Sequence, residues 1–345
     1  MSFEKPYHVE EAVAASKDES SKISILERLI AKSKFKRSNP DNPNTELKIG
    51  EKRFMIEGIE RGDSPDISQV QNLFIKTFGE EQVDPEEILR SGVEGKTPWE
   101  TDDLCKYRIH VIKNSEGEVV STVTGGLLDL LDNENNPTGK KMFMVAYAVT
   151  DPQARQGGLA REAYISAIMD AAKSARSEGK ELAFAAGECT YTSERFWNNV
   201  GWKRVYGATS LEDKKAYTEL KYVQPALDFD ETTGKPAEDA GEAPEHLMID
   251  SFGRMPPTKE EILQTIQAFY RWCNRWPPEA FENEEAYEKH QEYVSVIEEQ
   301  FKKQLAESGQ LIYLDQSSRK KAKERGVAIE EYAEADQGDS GKEDF

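Results

Sequence analysis

The sequence is poor in cysteine and in long apolar runs, and it has fewer basic than acidic residues. Three of its 345 residues are cysteine, widely separated and without a CxxC pair, which favours neither a disulfide framework nor a metal site. No stretch approaches the run of about 18 apolar residues that a membrane helix requires. The first residues, which include acids, lack the apolar core of a signal peptide. We therefore expect a cytoplasmic protein that holds no metal and does not associate with a membrane.

The excess of acidic over basic residues restricts the expected partners. There are 45 Lys and Arg against 65 Asp and Glu, for a net charge of -20. An acidic surface repels phosphate backbones, so nucleic acid is not expected as a partner. The same surface would attract a cationic substrate such as an amine, although acidity also serves solubility alone.

Composition divides the chain into four segments. Residues 1–51 form a polar extension with an amphipathic stretch at 23–31, and residues 52–255 carry the strand and helix patterns of the main domain. A capping box at Thr258 begins a helical extension over 256–314. Residues 315–345 are charged and contain few aromatics, so we expect them to be disordered.

One strand–helix–strand unit stands out in the main domain. Residues 142–150 and 182–186 are apolar runs typical of buried strands. Between them, apolar residues recur with helical spacing. Because a helix joins the two strands, the strands are expected to be parallel with a right-handed crossover.

A glycine turn links the first of these strands to the helix. Its sequence is Arg155-Gln156-Gly157-Gly158-Leu159-Ala160. Unpaired N–H groups and the positive end of the helix dipole make such a turn suitable for a pyrophosphate, and glycine permits close approach. A tight structural turn is the other interpretation. Neither a Walker A loop nor a GxGxxG fingerprint is present.

The turn resembles the acyl-CoA loop of the GNAT (Gcn5-related N-acetyltransferase) family, Arg/Gln-x-x-Gly-x-Gly/Ala. A second family signature, Ser/Ala-x-x-Phe-Tyr-x-x-x-Gly-Phe, is similar to the segment from Ser193 to Trp202. The resemblance covers residues 52–255. It implies an α+β (mixed α/β) fold: a mixed, mostly antiparallel sheet of about six or seven strands flanked by helices, with a helical C-terminal extension.

The resemblance also implies where acetyl-CoA would bind. Backbone N–H groups of the turn would hold the pyrophosphate, and the preceding strand would pair with the pantetheine arm and polarise the thioester. Thr190 and Trp197 would lie beside the cofactor. The implied cofactor-binding residues are Ala148, Val149, Thr150, Arg155, Gln156, Gly157, Gly158, Leu159, Ala160, Thr190 and Trp197.

The catalytic residues are less clear from the sequence. Glu188, at the end of a buried strand, is a candidate general base if burial raises its pKa; an exposed strand-end carboxylate is the alternative. Trp197 replaces the family tyrosine that protonates the leaving thiolate, and an indole cannot supply that proton. Tyr191 is the nearest phenol in sequence, and water is another donor. Cys189 is expected to be a small buried thiol rather than a nucleophile.

Together these features predict an N-acyltransferase that moves an acetyl or other acyl group from acyl-CoA directly to a primary amine. A non-catalytic acyl-CoA-binding or protein-interaction module on the same fold is the alternative. No motif identifies the acceptor, which could be a small molecule or a protein. A homodimer is possible.

Overall fold

A computed structural model describes residues 35–80, 83–95, 105–155, 157–190, 193–211, 214–238 and 240–332. Four sequence predictions fall outside these residues. They are the amphipathic stretch at 23–31, the cofactor contact of Gln156, the catalytic role of Tyr191 and the disorder of residues 333–345.

The described residues form thirteen strands that belong to a single sheet. The strands are β1 (Lys36–Arg37), β2 (Thr45–Ile49), β3 (Lys52–Ile59), β4 (Cys105–Lys113), β5 (Val119–Leu131), β6 (Pro137–Thr150), β7 (Glu181–Cys189), β8 (Lys203–Leu211), β9 (Lys214–Glu219), β10 (Lys221–Gln224), β11 (Ala243–Asp250), β12 (Leu311–Leu314) and β13 (Ala328–Glu330).

Seven α-helices accompany the sheet in the described part of the chain. They are α1 (Asp66–Phe78), α2 (Glu86–Val93), α3 (Leu159–Ser177), α4 (Glu194–Val200), α5 (Lys259–Phe269), α6 (Glu284–Glu307) and α7 (Gln316–Glu324). A π-helical turn, Tyr270–Asn274, continues α5. The predicted capping box is present, since Thr258 and Glu261 exchange hydrogen bonds at the start of α5.

The sheet is mixed and mostly antiparallel, as predicted. Its order is β1-β2-β3-β4-β5-β6-β7-β11-β8-β9-β13, with β10 on β11 and β12 on β8. Only the pairs β6–β7 and β9–β13 are parallel among the pairings described. The prediction of six or seven strands is wrong, because short strands such as β1 and β9, near the two edges, carry too many charged residues to show apolar alternation.

Helices cover both faces of the sheet. Alternate residues along β6 show this division, since Phe143 and Val145 pack with α3, whereas Met142 and Met144 pack with α5 and α6. Helices α1 and α2 lie on the same face as α5. Trp272 shows this, because it packs against the apolar cluster of α1 and α2 and also against that of α5 and α6. The predicted strand–helix–strand unit is confirmed as β6, α3 and β7, with the two strands parallel.

The domain boundaries differ from those predicted. Strands β1 and β2 precede residue 52, and α5, α6 and β12 belong to the main core instead of forming a separate extension. The prediction of disorder after residue 314 is wrong for residues 315–332, which form α7 and β13. High charge suggested disorder, but one of these charges, Arg319, is buried in ion pairs that fix the segment to the core.

Those ion pairs attach α7 to α4, the short helix that begins at Glu194. Arg319 Nη1 lies 2.5 Å from Glu194 Oε1, and its Nε lies 2.9 Å from a Glu331 oxygen. Glu194 also pairs with Arg204 at 2.5 Å. Both arginines and Glu194 are buried. Since removing one member of a buried pair leaves an uncompensated charge, the C-terminal segment should contribute strongly to stability.

We predict that Arg319→Leu lowers the free energy of unfolding by about 3 kcal/mol, the usual effect of breaking a buried pair. Chemical denaturation measures the change. Lys323→Leu is the matched control, since Lys323 is on the same helix and pairs with Glu331 at 3.2 Å but is half exposed; it should lose less than about 1 kcal/mol. Equal effects of the two substitutions would contradict a buried attachment.

Candidate functional site

The centre of the candidate site is the point where β6 separates from β7. The two strands pair from Lys140–Glu181 to Val145–Gly187 and no further. At the same level the β5–β6 register shifts: Val145 pairs with Gly125 and Tyr147 with Thr124, which leaves Ala146 as an extra residue. Such a bulge bends its strand. Beyond it, residues 147–150 pair with β5 and not with β7 among the described pairings, so one strand edge faces a gap.

Two glycines permit this geometry. A Cβ on Gly125 would lie 1.9 Å from the Met144 carbonyl oxygen, so no other residue fits beside the bulge without a shift. A Cβ on Gly187 would lie 3.1 Å from the Trp202 ring. Trp202 is fully buried and packs against Trp197 at 4.5 Å and Tyr164 at 5.9 Å. Aromatic rings therefore fill the α3 side of the sheet at the level where the strands part.

The predicted glycine turn stands at the same edge of the sheet. Asp151 directly follows β6 and caps a short 3₁₀ turn, Pro152–Ala154. Arg155 Nε lies 3.4 Å from the Thr150 carbonyl oxygen. Gly158 has a φ of +83° and immediately precedes α3. A Cβ there would meet nothing within 4 Å among the described residues, so none of them fills the space in front of the helix. The first N–H groups of α3 point towards that space without an intrahelical acceptor.

Glu188 is the first residue of β7 beyond its last pair with β6. Its carboxylate accepts a hydrogen bond from the phenol of Tyr222, which is fully buried on β10. Burial raises the pKa of the Glu188 carboxyl to about 7, although the hydrogen bond from Tyr222 opposes the rise. A carboxyl with that pKa exists in both protonation states near neutral pH, which suits a general base.

The next two candidates differ in their surroundings. Thr190 is exposed and follows β7 directly, and its carbonyl and hydroxyl oxygens accept from the backbone N–H of Ser193, which precedes α4. Trp197 is 6% exposed and packs among Tyr164, Phe196 and Trp202. The structure therefore gives Trp197 a core role, and its contact with a cofactor stays a prediction.

The sequence analysis missed Asp84 and Tyr147. Asp84 lies between α1 and α2, near enough to the Tyr147 phenol for that group to lower the pKa of its carboxyl against the larger, opposite effect of burial. Tyr147 lies on β6 directly after the bulge. Burial raises the pKa of both groups. A single aspartate in a polar loop has no sequence pattern that marks it as part of a site, because its neighbours come from distant segments.

A serine, a histidine and an aspartate also meet elsewhere in the protein. The Ser166 hydroxyl lies 3.3 Å from His110 Nδ1, and His110 Nε2 lies 3.6 Å from Asp170. Ser166 is fully buried and donates its proton to the Pro43 carbonyl, so the folded chain already satisfies this hydroxyl and does not hold it as a nucleophile. Burial also raises the pKa of the Cys189 thiol well above its usual range, which excludes a reactive thiolate.

Solved structures similar to this chain are N-acetyltransferases. A GCN5-related glucosamine N-acetyltransferase region of a fungal multi-domain GH3 β-N-acetylglucosaminidase has 14% identity and a TM-score of 0.32, over 46% of this chain and 19% of that one. A GNAT family N-acetyltransferase from Escherichia coli, in complex with CoA, has 15% identity and a TM-score of 0.31, over 45% and 72%. Glucosamine-6-phosphate N-acetyltransferase from Arabidopsis thaliana has 20% identity and a TM-score of 0.29, over 43% and 90%.

No protein-family model and no curated protein matches the chain. Likeness at such low identity and TM-score says nothing of activity or substrate, so the functional assignment rests on this chain's own residues. Among the described residues, no helix is long and apolar enough to cross a membrane, and no group of three or more His, Cys, Asp or Glu is arranged to hold a metal ion.

The structure brings most of the predicted site residues to one edge of the sheet. Because β6 and β7 are parallel, their carboxyl ends and the start of α3 meet there. The residues at this edge are Ala148, Val149, Thr150, Arg155, Gly157, Gly158, Leu159, Ala160, Glu188 and Thr190. Their roles toward acetyl-CoA stay predictions.

The raised pKa of Glu188 predicts a pH-dependent effect on stability. The folded-state pKa of Glu188 is about 7 and exceeds the unfolded value of 4.5. The stability that the protonated carboxyl contributes to the folded state is therefore fully present below pH 4.5 and is lost as pH rises through about 7. Glu188→Gln should therefore be more stable than wild type at pH 8.5, by roughly 1–3 kcal/mol, but not at pH 5.

Thermal and chemical unfolding at both pH values measure this difference. Glu116→Gln is the matched control, since Glu116 is exposed in the β4–β5 turn. It should change stability equally at the two pH values. A Glu188→Gln effect independent of pH would show that the carboxyl is not held in a dry environment.

Proposed function

We propose that the protein is an N-acyltransferase that moves an acyl group, in the simplest case acetyl, from acyl-CoA to a primary amine. The observation that carries the proposal is the separation of β6 from β7 beside the glycine turn and Glu188. The gap, the start of α3 and Glu188 lie at one edge of the sheet. An acyl-CoA with its thioester in the gap would therefore have N–H groups near its phosphates and a proton acceptor near its thioester.

The cofactor would be held by backbone groups. The N–H groups at the start of α3, from Gly157 to Ala160, would bind the pyrophosphate, with Arg155 beside them. The free edge of β6 over Ala148–Thr150 would pair with the amide groups of the pantetheine arm, as an added strand does. An N–H on that edge would stabilise the oxyanion that forms on the thioester carbonyl.

The transfer itself needs the amine as a free base. Glu188 would take the proton from the ammonium group, and the nitrogen lone pair would then attack the thioester carbon. The tetrahedral intermediate collapses as its C–S bond breaks and the thiolate leaves, and the positively charged nitrogen gives up its extra proton to water to form the neutral amide. Trp197 lies in the core and cannot supply a proton, so the thiolate would be protonated by Tyr191 or by water.

Lack of an evident proton donor favours one alternative, a non-catalytic module that binds acyl-CoA. The buried Trp197 at the position of the family tyrosine is the observation behind it. Such a module would bind acetyl-CoA but would not transfer its acyl group to any amine. Binding and turnover measurements on the same preparation distinguish the two functions.

We predict that Gly158→Glu weakens acetyl-CoA binding by roughly 10- to 100-fold, because a carboxylate would occupy the space in front of α3 and repel the phosphates. Isothermal titration measures the affinity. Gly179→Glu is a closely matched control: it lies at the other end of α3, also has a positive φ of +71°, and a Cβ there meets nothing within 4 Å. Equal loss in both variants would overturn the assignment of the cofactor site.

We also predict that the wild-type rate of acetyl transfer rises with pH through an apparent pKa near 7, since the base must be ionised. Glu188→Gln should lower kcat about 10²- to 10⁴-fold and abolish that pH dependence, with acetyl-CoA affinity unchanged. Steady-state kinetics across pH 5.5–9 test this, with Glu116→Gln as control. A Glu188→Gln enzyme of normal rate would mean that water or another group is the base.

A further inference from the structure

We propose that the acceptor binds on the sheet face opposite α3, around Tyr147, and that it is a primary amine on an apolar aromatic or alkyl body without an anionic group. This inference rests on the acyl transfer proposed above and adds the class of acceptor. Four separate segments of the chain supply the side chains that support it.

The β6 bulge determines which side chains reach this face. Before the bulge, Met142 and Met144 point away from α3, and the extra residue Ala146 restores the same orientation to Tyr147. On β7, Glu188 is two residues beyond Ala186, which belongs to the same apolar cluster as Met144. Tyr147 and Glu188 therefore lie on one face, on either side of the gap.

Two carboxylates flank Tyr147. Asp84 in the α1–α2 connection and Glu188 on β7 both lie close enough for their charges to raise the pKa of its phenol, after the larger effect of burial. Within the part of the chain that the structure describes, neither Asp84 nor Glu188 pairs with a lysine or arginine. A half-buried carboxylate without a cationic partner is less favourable than a paired one in the empty protein. A cationic ligand would supply the missing partner.

The rest of this face is apolar and largely aromatic. The Tyr147 ring lies 4.6 Å from Phe74 and 5.8 Å from Phe78, and Tyr107 lies 5.7 Å from Trp272 in the π-helical turn. Phe78, Tyr147 and Trp272 are half-buried, so each keeps surface that a ligand can cover. Aromatic surfaces bind an apolar body and also favour a nearby ammonium group.

Two hydroxyls at this place have no hydrogen-bond partner of good geometry among the described residues. They belong to Tyr107, which is 8% exposed, and to Thr124, which is fully buried. The two groups are close to each other but do not meet the geometry of a hydrogen bond. Tyr107 is also near Asp84 and Tyr147. Burial is the main cause of its raised pKa, and the charges of these two neighbours raise the pKa further. Buried polar groups usually have partners, so these hydroxyls fit the N–H groups of a bound amine.

This combination selects against polar and anionic acceptors. A phosphorylated amino sugar would bring two negative charges next to two carboxylates, and a polyhydroxylated amine would bury hydroxyls against aromatic rings without partners. An amine such as 2-phenylethylamine matches the site, because it offers one ammonium group and one apolar ring.

The experiment compares acetyl transfer to 2-phenylethylamine, hexylamine, glucosamine 6-phosphate and an aminoglycoside, with full-length protein and acetyl-CoA. We expect kcat/KM for the first two to exceed that for the last two at least about tenfold, from loss of polar pairing alone. A preference for the sugar phosphate or the aminoglycoside would overturn this inference and leave the acyl transfer intact. Transfer to no amine, while acetyl-CoA still binds, would overturn the acyl transfer and this inference together.

Tyr107→Phe tests the site by a variant that should fold. It removes a hydroxyl that makes no good hydrogen bond, so the melting temperature should stay equal or rise. Its kcat/KM for 2-phenylethylamine should fall roughly three- to tenfold, with acetyl-CoA affinity unchanged. Tyr217→Phe, a half-buried tyrosine on β9, is the matched control. An unchanged kcat/KM in Tyr107→Phe would show that the acceptor does not reach the hydroxyl and would overturn the placement.

Discussion

The candidate site depends on one feature of the sheet, the β6 bulge at Ala146. Parallel strands normally continue side by side to their ends, which would leave no free edge between β6 and β7. The bulge bends β6 away after Val145 and at the same time reverses the alternation of its side chains. A single inserted residue therefore opens the gap and turns Tyr147 towards the face that carries Glu188.

Packing on both faces maintains this geometry. On the α3 side, Trp202 lies against Gly187, and Trp197 and Tyr164 complete the aromatic cluster. Trp197 stands where the family signature that the sequence resembles has a tyrosine, and its bulk is used for packing. This explains how the position can be occupied by a residue that donates no catalytic proton: the helix α4 needs a large ring at that point of the core, whether or not the ring has a phenol.

Local patterns allowed part of this structure to be predicted from the sequence. The glycine turn and the strand–helix–strand unit are encoded by neighbouring residues, so periodicity and glycine spacing identify them. The bulge at Ala146 has no such pattern, because it depends on how Gly125 approaches Met144 across the sheet. The segment after residue 314 looked disordered because its charges seemed solvated. Its order depends on Glu194, more than a hundred residues earlier in the chain.

Two clusters of titratable groups illustrate how burial alone fails to identify a site. Ser166, His110 and Asp170 bond to one another and to the Pro43 carbonyl, so the folded chain satisfies them without a ligand. Around Tyr147 the situation is the reverse, since a carboxyl with a pKa near 7 and two buried hydroxyls remain poorly satisfied. Such groups lower stability, and a protein retains them where a bound molecule completes their interactions. The second cluster, at the gap beside the glycine turn, is therefore the one that points to chemistry.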